Sequence, residues 1–243
     1  MLLSITDPAD ARLEKLSALL NATFPDPNTV LGLDRMQEFL AANPANVRRH
    51  FNVLVAERDD AVVGGTVFSY VFDSNCGFSE YIVADQRVRG TGLGRSLFDA
   101  RKAQLDALAK NNGFRGCHGV FIEVDSPERT PAHFAEAEGE TALDLRQRVR
   151  LFAHLGFRRV DAPYVQPPLA PGKQAIDYMD LLFAAWEGVS QDRIPAEWVF
   201  DTLAAIWSAW TPDSFGRHLA TLRDRVGASH VALLDPLDGL GSQ

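Results

Sequence analysis

The stretch Arg87-Val88-Arg89-Gly90-Thr91-Gly92-Leu93-Gly94-Arg95 limits most sharply what this chain can fold into. Three alternating glycines come just after an apolar run, Tyr81-Ile82-Val83-Ala84, and just before Leu93, Leu97, Ala100, Leu105 and Leu108 at helical spacing. A strand therefore runs into a tight loop and then a helix. Glycine tolerates φ > 0 and has no Cβ to keep a ligand off the backbone. The first amides of a helix lack intrahelical partners and lie at the positive end of its dipole, so a loop of this kind favours an anion. A single glycine here would read as an ordinary turn. Three glycines flanked by Arg87, Arg89 and Arg95 read instead as an anion-binding loop.

Two familiar phosphate loops fail against these letters. The dinucleotide pattern G-x-G-x-x-G needs a third glycine where Arg95 stands, and the P-loop needs a Lys-Ser or Lys-Thr pair that follows none of these glycines. Arg87, Gly90 and Gly92 do satisfy [QR]-x-x-G-x-[GA], which Gly94 and Arg95 extend. Set between a strand and a long helix, the pattern resembles the pyrophosphate loop of the GNAT (general N-acetyltransferase) superfamily, whose members bind acyl-CoA.

The rest of the chain can be read around this unit. Leu2 to Thr6 is a weak first strand, Asp7-Pro8 opens a helix through about Leu20, and Asp34 to Ala42 reads as a second helix. The apolar segments 51–56 and 61–72 flank an Asp59-Asp60 turn and form a hairpin, followed by a strand from Phe78 to Ala84. The long helix ends at Asn111-Asn112-Gly113 with a left-handed glycine. Gly119 to Asp125 is a strand, residues 126–140 form a polar, Pro-containing loop, and a helix spans about Leu143 to Leu155. Strands at 158–165 and 175–183 follow. This order implies a mixed α/β fold, a mixed sheet with helices on both faces. Arg150-Leu151-Phe152-Ala153-His154-Leu155-Gly156-Phe157 is also similar to the closing helix of the GNAT fold, so the resemblance covers roughly the first three quarters of the chain. It implies a mostly antiparallel sheet and an acyltransferase domain over residues 1–186, with a C-terminal helical extension over 187–243.

Acyl transfer to an amine sets a clear chemical demand. An alkyl ammonium with pKa near 10.4 must lose a proton, which costs on the order of 4–5 kcal/mol at neutral pH, so a positioned base has value. Glu123 lies inside the apolar strand Phe121-Ile122-Glu123-Val124, and Glu80 begins the strand before the loop. Alternation puts Glu80, Ile82 and Ala84 on one face, with Tyr81 and Val83 on the other. Burial would raise either carboxyl towards a useful range, whereas an outward-facing strand carboxylate would do nothing. The resemblance makes Glu123 the first candidate base, because several members carry a base at that position, and Glu80 the second. It also implies that the main chain of Ile82, Val83 and Ala84 pairs with the pantetheine arm of acetyl-CoA. Arg87, Arg89, Gly90, Thr91, Gly92, Leu93, Gly94 and Arg95 would hold the pyrophosphate. The family often has a tyrosine acid where this chain has Phe152; Tyr164, Tyr178 and His154 are conceivable substitutes. Because a thiol leaving group near pKa 8.5 has little need of an acid, the substitution at Phe152 leaves the reaction class intact.

Composition removes other classes. A net charge of −8 over 243 residues makes a nucleic-acid partner a poor fit, and no apolar run approaches the length of a membrane span. With no signal peptide at the N-terminus, Cys76 and Cys117 read as reduced, buried thiols, which points to the cytoplasm. The six histidines lack H-x-x-x-H spacing and neither cysteine sits in C-x-x-C, so no metal is expected. No G-x-S-x-G elbow is present. The acids of residues 126–140 (Glu128, Glu136 and Glu138 among them), with Asp125 just before, could draw in a cationic amine or simply be solvated. The apolar helix at 195–210, with Trp198, Trp207 and Trp210, reads as packing on the core, as a pocket wall or as a homodimer contact. Residues 235–243 read as a poorly ordered end. The expected activity is transfer of an acetyl or other short acyl group to a small-molecule amine. The alternatives are a non-catalytic acyl-CoA-binding or regulatory module, a protein N-acetyltransferase, and nucleotide-dependent chemistry on the same loop.

Overall fold

The computed structural model describes residues 1–141 and 143–238, with only the backbone described for 138–141. Strand β1 (Leu2–Ile5) leads into helices α1 (Arg12–Thr23) and α2 (Leu33–Ala42). α1 begins later than the sequence suggested, because Asp7 first closes its own turn, its Oδ1 accepting from Ala9 N at 2.8 Å. β2 (Arg49–Arg58) and β3 (Ala61–Val71) form the expected hairpin. Asp59 and Asp60 both have positive φ, 51° and 60°, the backbone of the tight turn that matches strand twist. β4 (Cys76–Ala84), α3 (Leu93–Asn111) and β5 (Gly119–Asp125) follow as read.

The region after β5 departs from expectation. Residues 126–140 contain a helix, α4 (Ala132–Thr141), where a loop was expected. Pro131 starts it, its carbonyl accepting from Phe134 N and Ala135 N at 3.0 Å each. Phe134, 6.4 Å from the ring of Tyr178, docks α4 on the core. Among the described side chains of α4, Phe134 is the one that joins the core, which leaves no periodic stripe to read. Glu138 and Glu140 have side chains outside the described residues.

Helix α5 (Leu145–His154) is followed by β6 (Phe157–Val160) and β7 (Met179–Ala185), both displaced from the segments predicted. Pro163 stops β6, since proline donates nothing to a ladder. Between β6 and β7 only an isolated bridge, Gln166 to Ile176, keeps strand geometry. The chain then adds β8 (Arg193–Pro195), α6 (Ala196–Trp210), α7 (Phe215–Val226) and β9 (His230–Leu234). The two short strands had not been anticipated. Of the end read as poorly ordered, residues 235–238 form a turn and 239–243 lie outside the described residues.

One nine-stranded sheet, ordered β1-β2-β3-β4-β5-β7-β6-β9-β8, carries two cores on opposite faces. Residues of α1, α2 and α6 pack on one face, with Trp207 and Trp210 nearly fully buried there. Residues of α3 and α5 pack on the other. All pairings are antiparallel except β4 with β5. The segment beyond residue 186 therefore contributes to the main sheet through β9 and to its core through α6.

Candidate active site

The site starts from a mismatch between two neighbouring strands. β4 and β5 pair in parallel only at Gly77–Val120, Phe78–Phe121 and Ser79–Ile122, and then diverge. Beyond Ser79, the β5-facing edge of β4 has no strand partner among the described residues, although its other edge stays on β3 through Thr66–Ile82, Gly65–Val83 and Gly64–Ala84. Main-chain groups on such an edge can bond an extended ligand.

Where the strands part, β4 carries a bulge. Val67 pairs with Tyr81 and Phe68 with Ser79, leaving Glu80 as the extra residue. The bulge corrects the expected facing. Glu80 bonds Ser69 and Arg49 on the α1/α2 side, where Tyr81 and Val83 also lie, while Ile82 packs on the α3 side. An inserted residue shifts the alternation by one, so Glu80 and Tyr81 share a face.

A cavity of about 530 Å³ occupies the opening and is lined from both sides of the sheet. Ile82, Leu93, Ile122 and Phe152 line it from the α3/α5 side. Glu80, Tyr81, Glu123 and Trp210 line it from the α1/α6 side. Of the residues expected at the cofactor, Ile82, Val83, Ala84, Arg89, Gly90, Gly92, Leu93, Gly94 and Arg95 all border it. Arg87 and Thr91 do not. Arg87 is exposed and paired with Asp85 at 2.6 Å, and the Thr91 hydroxyl donates to Val88 O at 2.7 Å.

The glycine loop has the geometry an anion needs. Gly90 and Gly92 have φ of 76° and 82°, and Gly92 caps α3 in the left-handed region. The amides of Leu93, Gly94 and Arg95, in the first turn of α3, have no intrahelical acceptor. Gly94 has no positive φ, and a Cβ placed on it would meet nothing within 4 Å. Neither strain nor protein packing accounts for that glycine, and it opens the backbone to the cavity. This cradle fits a diphosphate held by main-chain donors.

Both candidate bases lie on the cavity. The Glu123 carboxylate accepts from Tyr164 Oη on Oε1, and from Gln166 Nε2 on Oε2 at 2.7 Å. Burial pushes its pKa up to about 7, against the lowering effect of those two donors. Glu80 Oε1 accepts from Ser69 Oγ at 2.7 Å and from Arg49 Nη1 at 3.3 Å. Burial raises it to about 7 as well, opposed mainly by Arg49. Glu80 Oε2 is buried without a hydrogen-bond partner. Arg49 is pushed down to about 10, and Arg101, fully buried with Nη1 on Ser79 Oγ, to about 9, in both cases by burial. A buried charge pair of this kind is weak evidence for stability and better evidence for a function.

Phe152 is buried against Phe157, with ring centroids 5.2 Å apart, and borders the cavity. Of the three conceivable substitutes for a tyrosine acid, Tyr164 is bonded to Glu123. Tyr178 donates to Asp26 Oδ2 at 2.6 Å, and His154 lies on the cavity at the end of α5. Sequence reasoning missed Arg49, the bond from Gln166 to Glu123 and the Arg148–Asp125 pair (3.1 Å) on the cavity wall. Their partners lie 20 or more residues away, and no local pattern marks them. Among the described residues, no group of His, Cys, Asp and Glu could hold a metal ion, and no helix is long and apolar enough to cross a membrane.

Comparison with known proteins agrees with this architecture. A putative acetyltransferase of the GNAT family from Bacteroides thetaiotaomicron is similar in structure, with a TM-score of 0.52 at 16% identity over 93% of this chain and 97% of that one. An aminoglycoside 6'-N-acetyltransferase complexed with coenzyme A has a TM-score of 0.48 at 16% identity, over 75% of this chain and 94% of its own. A GNAT family acetyltransferase from Elizabethkingia anophelis with acetyl-CoA bound has a TM-score of 0.45 at 14% identity, over 76% of this chain and 97% of its own. At 16% identity, the first of these likenesses shows a shared fold. No curated protein matches the sequence. The family model described as Acetyltransferase (GNAT) family matches residues 13–139, more than half of the sequence, and the chain belongs to that family of acetyltransferases.

Proposed function

We propose that this protein transfers an acetyl or other short acyl group from acyl-CoA to the amine of a small molecule, with Glu123 as general base. The observation that carries this reading is a single cavity bordered at one end by the glycine loop and at the other by two buried carboxyls with pKa values near 7. Donor and acceptor can then meet in the opening between β4 and β5, the donor from the α3 side and the acceptor from the α1/α6 side. The amides of Gly90, Gly92, Leu93, Gly94 and Arg95 and the Arg89 guanidinium take the pyrophosphate, while the Arg95 guanidinium pairs with Asp99 at 3.0 Å, and the free edge of Ile82, Val83 and Ala84 takes the pantetheine arm. Arg87, held on Asp85, keeps the start of the loop in place instead of touching the phosphates.

Chemistry follows from proton positions. Ionised Glu123 accepts a proton from the bound ammonium, directly or through a water. A base near pKa 7 is well matched to working pH. The free amine attacks the thioester carbonyl carbon, and the developing oxyanion takes a main-chain N–H of β4. The C–S bond then breaks as the nitrogen gives up its second proton, the amide forms, and the departing CoA thiolate takes up that proton, relayed through solvent or His154. Phe152 supplies none, and a thiol of pKa near 8.5 needs none urgently.

Incubating the protein with acetyl-CoA and a panel of amines, and measuring free thiol, tests the proposal. Turnover that collapses in Glu123→Gln supports it. Tight CoA binding with no turnover on any amine would favour the non-catalytic module. Thermal stabilisation by ATP or NAD and not by CoA would reject both. The two free, buried cysteines accord with a reducing compartment such as the cytoplasm.

A further inference from the structure

On the acyl-transfer reading, the walls of the acceptor end say what kind of amine it takes. The charges there are almost entirely spoken for. Glu80 has Arg49 beside it, and Asp125 has Arg148 at 3.1 Å. Glu123 is bonded to the neutral Tyr164 and Gln166, and the charges that perturb it are the two carboxylates Glu80 and Asp125. The cavity therefore presents one uncompensated carboxylate. Two further buried acceptor atoms on its wall, Glu80 Oε2 and Gln166 Oε1, have no hydrogen-bond partner. An ammonium bears three N–H donors and one positive charge, which is the complement of that set.

Around this polar floor the wall is apolar. Phe24, Tyr81, Leu169, Met179 and Trp210 border it. The Tyr81 hydroxyl is occupied, donating to Thr29 O at 2.9 Å and accepting from Leu31 N at 2.8 Å, so its ring and not its hydroxyl is offered to a ligand. Phe24 stands 5.9 Å from that ring. Trp210 is 2% exposed, braced edge-on against Phe78 at 5.8 Å. It comes from α6, outside the segment that matches the family model. The unpartnered polar atoms here are Trp210 Nε1 and the two acceptors already named, enough for one ammonium and one further contact, so several hydroxyls or a second ammonium brought into this cup would leave water without full pairing.

We infer that the acceptor is a primary monoamine on an apolar or aromatic body, with its ammonium between Glu123, Glu80 and Gln166 and its body against Phe24, Tyr81 and Trp210. Polycations and polyhydroxylated amines are disfavoured by the same wall.

The test compares kcat/KM with acetyl-CoA for butylamine, hexylamine, 2-phenylethylamine, spermidine and glucamine, followed as thiol release. Burial of apolar surface predicts a gain of roughly fourfold per methylene. Hexylamine should therefore exceed butylamine by roughly 15-fold, and 2-phenylethylamine should lead glucamine and spermidine by about 100-fold or more. Phe24→Ala and Trp210→Ala should raise KM for 2-phenylethylamine by about tenfold, with kcat little changed and a smaller effect on butylamine. Because Trp210 is deep in the core, thermal melting accompanies both variants, and the half-buried Phe24 carries the test if Trp210→Ala does not fold. Turnover that favours glucamine or spermidine, with no gain along the alkyl series, overturns this inference and leaves acyl transfer standing. An equal loss on both amines in Phe24→Ala also overturns it. No thiol release from any amine rejects the transfer reading itself, and this inference with it.

Discussion

Glu123→Gln is the most informative single change, because the structure sets both its kinetic and its thermodynamic signature. Burial moves the Glu123 carboxyl from 4.5 to about 7 in the folded protein. If Glu123 is the base, kcat/KM rises tenfold per pH unit below about 7 and levels off above it, so activity at pH 6 is about one-tenth of the plateau. Glutamine keeps the shape and accepts from Tyr164 but cannot take a proton, so the plateau should fall by roughly 10²- to 10⁴-fold and the Glu123 limb should vanish. Glu80 titrates in the same range and raises Glu123 electrostatically, so the wild-type limb reports a coupled pair. Stability moves in a defined direction too. Below pH 4.5 the group is protonated in both folded and unfolded chains and contributes no difference. Between 4.5 and about 7 the unfolded chain ionises first, so the wild type loses stability as pH rises, by about 3 kcal/mol in total at about 1.36 kcal/mol per unit. Above 7 the deficit is constant. Glu123→Gln removes that slope, and denaturant melts at pH 5 and pH 8 would show it. A variant that retains wild-type kcat/KM and the same acid limb would refute the assignment, however the protein melts.

Three further outcomes follow from the same geometry. Tyr164→Phe removes a donor to the Glu123 carboxylate, so the acid limb should move up by about one pH unit; a downward shift would contradict the bond. Gly94→Ala leaves the melting temperature nearly unchanged, because a Cβ there meets no protein atom within 4 Å, yet calorimetric CoA affinity should fall at least tenfold; unchanged affinity would move the diphosphate away from this turn. Arg49→Met strands Glu80 in the bulge without its cation and should cost about 3–5 kcal/mol in urea melts at pH 8, and less at pH 5, where Glu80 is protonated.

The loop from Arg87 to Arg95 was readable because its constraints are local. Positive φ at Gly90 and Gly92, a strand before and a helix after are properties of a short segment, and they recur unchanged in the fold. The hairpin at Asp59-Asp60 was readable for the same reason. Burial of Glu123 was half legible, since a carboxylate among Phe121, Ile122 and Val124 must find partners or neutralise. Its partners, Tyr164 and Gln166, come from a segment about 40 residues on, brought back by β6 and β7.

Other features had no local sign. The bulge that turns Glu80 towards Tyr81 is a property of two strands in register, so period-2 alternation along β4 alone gave the wrong face. Helix α4 hid behind polar residues because, among its described side chains, Phe134 is the one that packs on the core. Trp210 read as the apolar stripe of an added helix. Only packing against Phe78 reveals it as a wall of the same cavity as the glycine loop. The sequence by itself determined the glycine loop, the order of elements from β1 to β5 and the two carboxyls worth suspecting, because backbone conformation and apolar periodicity are written in neighbouring residues. Tertiary structure alone decided that β4 and β5 part company after Ser79, and the opening this leaves brings those carboxyls, their distant partners and the loop to a single cavity.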